Sequence, residues 1–193
     1  MLIVNGDRKE NKVALTFDDG PNPYGTPKVL DALDKHNIKA TFFLIGKWVK
    51  LYPDIVKEMN RRGHLIGNHS YSHSHYKNDM ERSRREIFKL TKKFPAYIRP
   101  PYFNLVPYLP EILSRRFRVI GADVNSRDWK SHEKEISKMV LENVKNGSVV
   151  VFHDGSDQED EQKRCREMIK TLPKIIGILK EKYELVRLDE MKL

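Results

Sequence analysis

Seven short runs of β-forming residues recur along the chain, each followed by a stretch with helical spacing, and this alternation restricts the fold more than any other feature. The runs are Val13–Phe17, Ala40–Ile45, Leu65–Asn68, Tyr97–Arg99, Arg118–Ala122, Ser148–Phe152 and Glu184–Leu188. Between them, Thr26 reads as an N-cap with Pro27 at the first helical position, opening a helix through about His36. Further helices are predicted from Pro53 to Gly63, Asp79 to Lys92, Leu109 to Arg115, Glu133 to Asn146 and Glu161 to Glu181. Pro173 should kink or divide the last of these. Strand, helix, strand, repeated without a linker, repeat or low-complexity tract, points to an α/β fold with a mostly parallel sheet and helices outside. The 193 residues suffice for one sizeable core, so residues 1–193 read as a single domain.

Asp18, Asp19, His69, Arg99, Asp123 and His153 all fall at or just beyond the C-terminal ends of these runs. In parallel α/β folds that edge is where sites are built. An open sheet would spread the six along a line, whereas a barrel would bring them to one mouth. Because five segments contribute candidates, the barrel is the expectation.

The chemistry of those residues narrows the reading. Asp18 and Asp19 lie in Thr16-Phe17-Asp18-Asp19-Gly20-Pro21, at the mouth of a buried strand. Two carboxylates there are costly unless something pairs with, coordinates or solvates them; the plainer alternative is that one of them opens the Gly-Pro turn. His69 and His73 are spaced i, i+4 in His69-Ser70-Tyr71-Ser72-His73, which places both rings on one face if the segment is helical. Two His plus a carboxylate is a common catalytic metal set. Here Ser70 stands where a zinc peptidase would carry its glutamate base, so a base must come from elsewhere, and the aspartates are the obvious supply. The plainer alternative makes His69 a polar strand-end residue and His73 a surface residue; His75 is such a bystander. Arg99-Pro100-Pro101-Tyr102 sets an arginine at a strand end before an extended backbone. Its guanidinium can fix a neighbouring carboxylate, or simply form a surface ion pair. Asp123 to Trp129 and Val149 to Asp154 complete the set, although a His ending an apolar strand is commonly structural.

Composition excludes some classes. No stretch approaches the ~18–20 apolar residues of a membrane-spanning helix. No secretory leader is visible, since charges begin at Asp7 and Arg8; the expectation is a cytoplasmic protein or one trimmed of its leader. The single cysteine, Cys165, excludes an internal disulfide and a multi-cysteine zinc site, and reads as incidental. The net charge of +9 suits anionic partners. Its densest patches, Arg82-Ser83-Arg84-Arg85, Lys92-Lys93 and Arg115-Arg116-Phe117-Arg118, are interleaved with Glu or apolar residues, as on a solvated helix face rather than a nucleic-acid groove.

Taken in order, the motifs resemble those of the polysaccharide deacetylases of carbohydrate esterase family 4, the NodB-homology domain, from about residue 12 to the C-terminus. Thr16 to Pro21 matches the first block and His69 to His73 the second. Arg99 to Tyr102 matches the third, with Phe103 where glycine is frequent. Asp128-Trp129 matches the fourth, and Val151-Phe152-His153 the fifth, with Val151 where leucine is usual. The resemblance implies a distorted parallel (β/α)7 barrel. It implies one divalent transition-metal ion, zinc or a similar ion, on Asp19, His69 and His73. Asp18 would be the general base, Arg99 its tether, His153 the general acid and Asp128 its orienting partner. A backbone N–H at Tyr102 would serve the oxyanion, and Trp129 and Val151 would line the acetyl pocket. The activity implied is removal of N-acetyl groups from N-acetylated glycans, chitin-type oligomers or peptidoglycan, giving acetate and a free amino sugar. The alternatives are an O-deacetylase on acetylxylan, a small-amide hydrolase, a non-catalytic glycan-binding module and, on charge alone, a metal-dependent phosphoesterase.

Overall fold

The computed structural model describes residues 2–74, 76, 78–158 and 164–193. Its strands are β1 (Leu2–Ile3), β2 (Lys12–Asp18), β3 (Thr41–Leu44), β4 (Leu65–Asn68), β5 (Tyr97–Ile98), β6 (Arg118–Ile120), β7 (Val124–Asn125), β8 (Val149–His153) and β9 (Glu184–Val186). The helices are α1 (Thr26–Lys35), α2 (Gly46–Leu51), α3 (Pro53–Arg61), α4 (Asp79–Thr91), α5 (Leu109–Arg115), α6 (Glu133–Asn143) and α7 (Arg166–Lys180). All strands belong to one sheet in the order β1-β6-β5-β4-β3-β2-β8-β7, with β9 also on β2. Every strand pair is parallel.

The sheet curls into a distorted parallel barrel. β6 lies beside β5 and β7 beside β8, and only Gly121 to Asp123 separate β6 from β7. One chain stretch therefore runs from the β1–β6 side of the curl to the β8 side, leaving the ladder just after Gly121, whose N–H still donates to the Ile3 carbonyl. All seven predicted runs contain strands; the two-residue β1 and β7 are additional.

β2 organises the rest because it is buried along nearly its whole length and paired on both sides. Side chains alternate along a strand, and here the alternation divides the core in two. Val13, Leu15 and Phe17 face the helices, in a cluster with Leu33 of α1, Val56 of α3, Val140 of α6 and Leu172 of α7. Phe17 stacks on Phe42 and on Phe152 at centroid distances of 5.0 and 5.6 Å. Ala14 faces the barrel interior with Phe43, Tyr97, Ile120 and Val149. Thr16 and Asp18 share Ala14's parity, so they too point inward.

Some local expectations are corrected. Thr26 does not cap α1; its hydroxyl donates to the buried carboxylate of Asp154 and accepts the N–H of Asn22. Pro173 lies inside α7, which continues through it undivided. The predicted start of that helix at Glu161, and His75, lie outside the described residues. Cys165 is buried. Among the described residues, no helix is long and apolar enough to cross a membrane.

Candidate functional site

Register alone brings the first residues together. Asp18 is the last residue of β2 and pairs with His153, the last residue of β8. Beyond β4, the His69 N–H donates to the carbonyl of Leu44; beyond β5, the Arg99 N–H donates to that of Asn68. Parallel strands ending together thus gather Asp18, His153, His69 and Arg99 at one mouth. Asp123 does not join them. Its carboxylate accepts the Val149 N–H, the Ser148 hydroxyl and the Arg8 guanidinium, at the start of β8, the opposite end from His153. The break between β6 and β7 carries Asp123 away from the strand end that the sequence suggested.

Arg99 is fully buried. Its Nη1 donates to Asp18 Oδ1 and to Thr16 Oγ1, each at 2.8 Å, and its Nη2 donates to the carbonyl of Gly121 at 2.7 Å. The guanidinium also lies 4.3 Å from the Phe43 ring centroid. Burial pulls its pKa down, while Asp18 opposes that pull. The surface ion pair of the plainer reading is therefore excluded: this is an interior clamp on one face of Asp18.

His69 and His73 meet without a helix. Residues 69–74 form a loop in which Ser70 and His73 have φ of 64° and 61°. Its shape comes from side chains that accept main-chain N–H groups. Asn68 Oδ1 takes that of Ser70, Ser70 Oγ takes that of His73, and Asp79 Oδ2 takes those of Tyr71 and Ser72. Asp19, with φ of 71°, swings its side chain toward the same point. Asp19 Oδ1 lies 3.4 Å from Nε2 of each histidine. Left-handed backbone is uncommon for residues other than glycine, and such residues cluster at functional sites. Two glycines permit the crowding behind Asp19. A Cβ on Gly20 would sit 2.7 Å from Asp154 Oδ2, and one on Gly155 would sit 2.6 Å from the Asp19 carbonyl oxygen.

The donor set suits a cation. His69 Nδ1 is 2.5 Å from the carbonyl of Arg99, which can only accept, so Nδ1 carries the proton and Nε2 offers its lone pair. His73 Nδ1 faces Asp157 Oδ2 at 3.2 Å with the same consequence. Asp19 Oδ1 is buried without a hydrogen-bond partner, a costly arrangement unless a positive charge completes it. The surrounding field favours such a charge. Although burial works against a charged His69, Asp18 and Asp19 outweigh it and raise its pKa. Burial also opposes ionisation of Asp19, yet the neighbouring His69, His153 and His73 hold its pKa well below the usual range. Among the described residues, Asp19, His69 and His73 are the one group of three whose ligand atoms converge in this way.

Across the mouth, His153 Nδ1 is 2.7 Å from Asp128 Oδ1, and the His153 N–H donates to Asp128 Oδ2 at 2.7 Å. Burial opposes the imidazolium, but Asp128, followed by Asp19 and Asp18, overrides it and lifts the His153 pKa to about 9. Trp129 stands edge-on to the His153 ring at 5.1 Å, and Tyr102 edge-on to His73 at 4.9 Å. The backbone is extended at Pro100 but turns at Pro101, which leaves Tyr102 with φ of 56° and an exposed side chain. A cavity of about 430 Å³ opens over Asp18, Asp19, His69, His73, His153, Tyr102 and Trp129. Val151 is buried two residues before His153 and is not part of the cavity wall.

Several contributors are not singled out by the sequence. Thr16 holds Arg99, Asp79 shapes the histidine loop, and Asp157 contacts His73. Asp154 lies buried behind Gly20, where burial lifts its pKa to about 7. Only Thr16 carried a signal, because it shares the strand parity of Asp18.

Comparison with known proteins agrees with this fold. The sequence profile described as polysaccharide deacetylase matches residues 5–114. A peptidoglycan-N-acetylglucosamine deacetylase of Bacillus cereus is 38% identical over 159 residues, 77% of this chain and 58% of that protein. The crystal structure of the Bc1960 peptidoglycan N-acetylglucosamine deacetylase superposes with a TM-score of 0.90 at 36% identity, covering 98% of this chain and 92% of the other. A family 4 acetyl xylan esterase from Clostridium thermocellum, in complex with cobalt, superposes with a TM-score of 0.80 at 31% identity, covering 93% and 89%. The chain spans 58% and 39% of the length of the first curated relatives it matches.

Proposed function

We propose, from the premise that this chain belongs to the polysaccharide deacetylase family, that it is a metal-dependent hydrolase removing N-acetyl groups from N-acetylated glycans. The observation that carries the proposal is the meeting of two opposed devices at one mouth. A carboxylate clamped by buried Arg99 faces an imidazole whose pKa is lifted to about 9. A module that only bound glycans would need neither. Similarity to relatives named for peptidoglycan N-acetylglucosamine favours an N-acetylated substrate over the acetylxylan reading.

Asp19, His69 and His73 would hold one divalent transition-metal ion, zinc by the nature of the His₂–carboxylate set. When bound, such an ion supplies Lewis acidity, which acidifies water toward a pKa of about 7 and polarises a carbonyl. The remaining work belongs to the protein. Asp18 receives the proton of the attacking water through the carboxylate edge that Arg99 leaves uncommitted. Asp18 keeps a fixed aim because Arg99 is itself held by Thr16 and Gly121. The Tyr102 N–H is the oxyanion donor in this reading, a contribution of about 3–4 kcal/mol where such donors have been removed. His153 delivers a proton from Nε2 to the departing amine, since Nδ1 is committed to Asp128. That delivery is needed because an amine anion is a very poor leaving group. The Trp129 ring offers an apolar wall to the acetyl methyl.

The test is product analysis. Metal-loaded protein incubated with N-acetylglucosamine oligomers, peptidoglycan fragments and acetylated xylan should release acetate and free amine in equal amounts from the first two. Acetate from xylan alone would overturn the substrate assignment. Glycan binding without acetate from any of the three would overturn the activity.

A further inference from the structure

The two histidines at the cation site are oriented by different means. His69 is aimed by a main-chain carbonyl, that of Arg99, which no substitution at another position deletes. His73 is aimed by a side chain from a segment 84 residues away, Asp157, in the turn that follows β8. We propose that Asp157 is a positioning residue of the metal centre, holding the His73 ring so that Nε2 presents its lone pair beside Asp19 and His69. The inference rests on the metal reading given above and extends it to a residue outside the five motif blocks.

The contact is built into the fold by the start of α2. The Gly46 and Lys47 N–H groups donate to the carbonyls of Ser70 and Tyr71, which fixes the loop that carries His73. From the same stretch of chain, Lys47 Nζ donates to the carbonyl of Asp157 at 2.5 Å, and Trp48 Nε1 donates to that of Ser156 at 2.9 Å. One short element therefore grips both the loop that bears the ligand and the loop that bears its orienter. A carboxylate can only accept from a ring N–H, so Asp157 selects the tautomer with hydrogen on Nδ1. Without it, the His73 ring is free to turn about its Cβ–Cγ bond or to place the proton on Nε2, and either change removes a ligand. Loss of such orienting partners typically weakens metal binding about 10–100-fold.

The experiment is zinc titration of chelator-stripped protein against a chromophoric competitor, for wild type, Asp157→Ala, Asp157→Asn and His73→Ala, with apo melting curves for each. Asp157→Ala should bind zinc about 10–100-fold more weakly with an unchanged apo melting temperature. Asp157→Asn, whose amide oxygen still accepts from Nδ1, should recover much of that loss. The cobalt-loaded Asp157→Ala protein should show an altered visible absorption band, since one ligand changes its angle. Zinc affinity equal to wild type in both Asp157 variants would overturn the inference. Asn no better than Ala would also overturn it, because charge rather than orientation would then be at work. Failure of the metal reading looks different: wild type would bind no zinc, or His73→Ala would bind it as wild type does.

Discussion

Replacing Asp128 by asparagine removes the largest influence that keeps His153 protonated, and its effect should depend on pH in a way no general disturbance would imitate. His153 stands at about 9 because Asp128 overcomes the cost of burial. Burial then acts against the imidazolium with only Asp19 and Asp18 opposing it; taking the ordinary imidazole value of about 6.5 as the reference, the change is worth about 3.4 kcal/mol at about 1.36 kcal/mol per pH unit. The direction is fixed by the sign of the shift: the wild-type imidazolium persists through neutrality and is lost only as pH rises through about 9. At pH 5.5 both proteins are almost fully protonated, so the rate ratio due to protonation is about 1. At pH 7.5 the imidazolium fractions are about 0.97 and about 0.09, roughly a tenfold difference, and at pH 8.5 the difference is about 75-fold.

The assay is the initial rate of amine release from an N-acetylglucosamine oligomer under saturating zinc, measured across this range for both proteins. The Asp128→Asn change can also misplace the ring, since Asp128 accepts the His153 main-chain N–H as well as its Nδ1–H. Such misplacement lowers the rate by a constant factor and leaves the shape of the profile unchanged. The informative quantity is therefore the growth of the wild-type to variant ratio with pH. A ratio that stays flat from pH 5.5 to 8.5 would refute the assignment of His153 as the acid that Asp128 charges.

Other expectations follow from the same contacts. Asp18→Asn should nearly abolish turnover while metal content, read by elemental analysis, stays intact; His69→Ala should lose both, and equal metal loss in the two would show that the roles of Asp18 and Asp19 are exchanged. Arg99→Met leaves Asp18 buried without its partner, so denaturant unfolding should show about 3–5 kcal/mol lost; a loss under about 1 kcal/mol would mean that water replaces the guanidinium. His64 is buried against Phe42 with Nδ1 accepting the Ala40 N–H, and burial holds its pKa down to about 4. A depressed histidine costs stability as pH falls from its ordinary value through its folded one, so about 3 kcal/mol should be lost between about pH 6.5 and 4. His64→Gln should flatten that slope, and parallel curves for the two proteins would count against it.

The strand ends were legible in the sequence because apolar runs of this length, bounded by turn residues, leave little freedom. Once the strands run parallel, Asp18, His69, Arg99 and His153 must share an edge. The exceptions have identifiable physical causes. α2 spans six residues, fewer than two turns, and begins at glycine without a capping side chain, so neither periodicity nor an N-cap marks it. Asp123 ends an apolar run as the others do, but the ladder stops after Gly121 and the chain crosses to β8 before resuming as β7. Thr26 has the ideal composition for a cap, yet the buried Asp154 carboxylate competes for its hydroxyl. For Asp123 and Thr26 a partner distant in sequence, invisible to local rules, decides the outcome.

The histidine loop shows why the site itself resists local reading. The i, i+4 spacing of His69 and His73 invites a helix, which would put both rings on its outer face and leave Asp19 to approach from the side. Instead Ser70 and His73 adopt left-handed backbone, a strain that turns both Nε2 atoms inward toward Asp19. That conformation survives because Asn68, Ser70 and Asp79 side chains accept the loop's own N–H groups, and because α2 takes its carbonyls. Asn68 itself is anchored through its Nδ2 to the carbonyl of Met80. Removing any one of these acceptors should therefore loosen the ligand loop before it loosens the core, so Asp79→Ala should weaken zinc binding by a larger factor than Asp79→Asn. Both variants should keep the far-UV circular dichroism of the parent; a variant that bound zinc normally while melting early would show that Asp79 supports α4 instead.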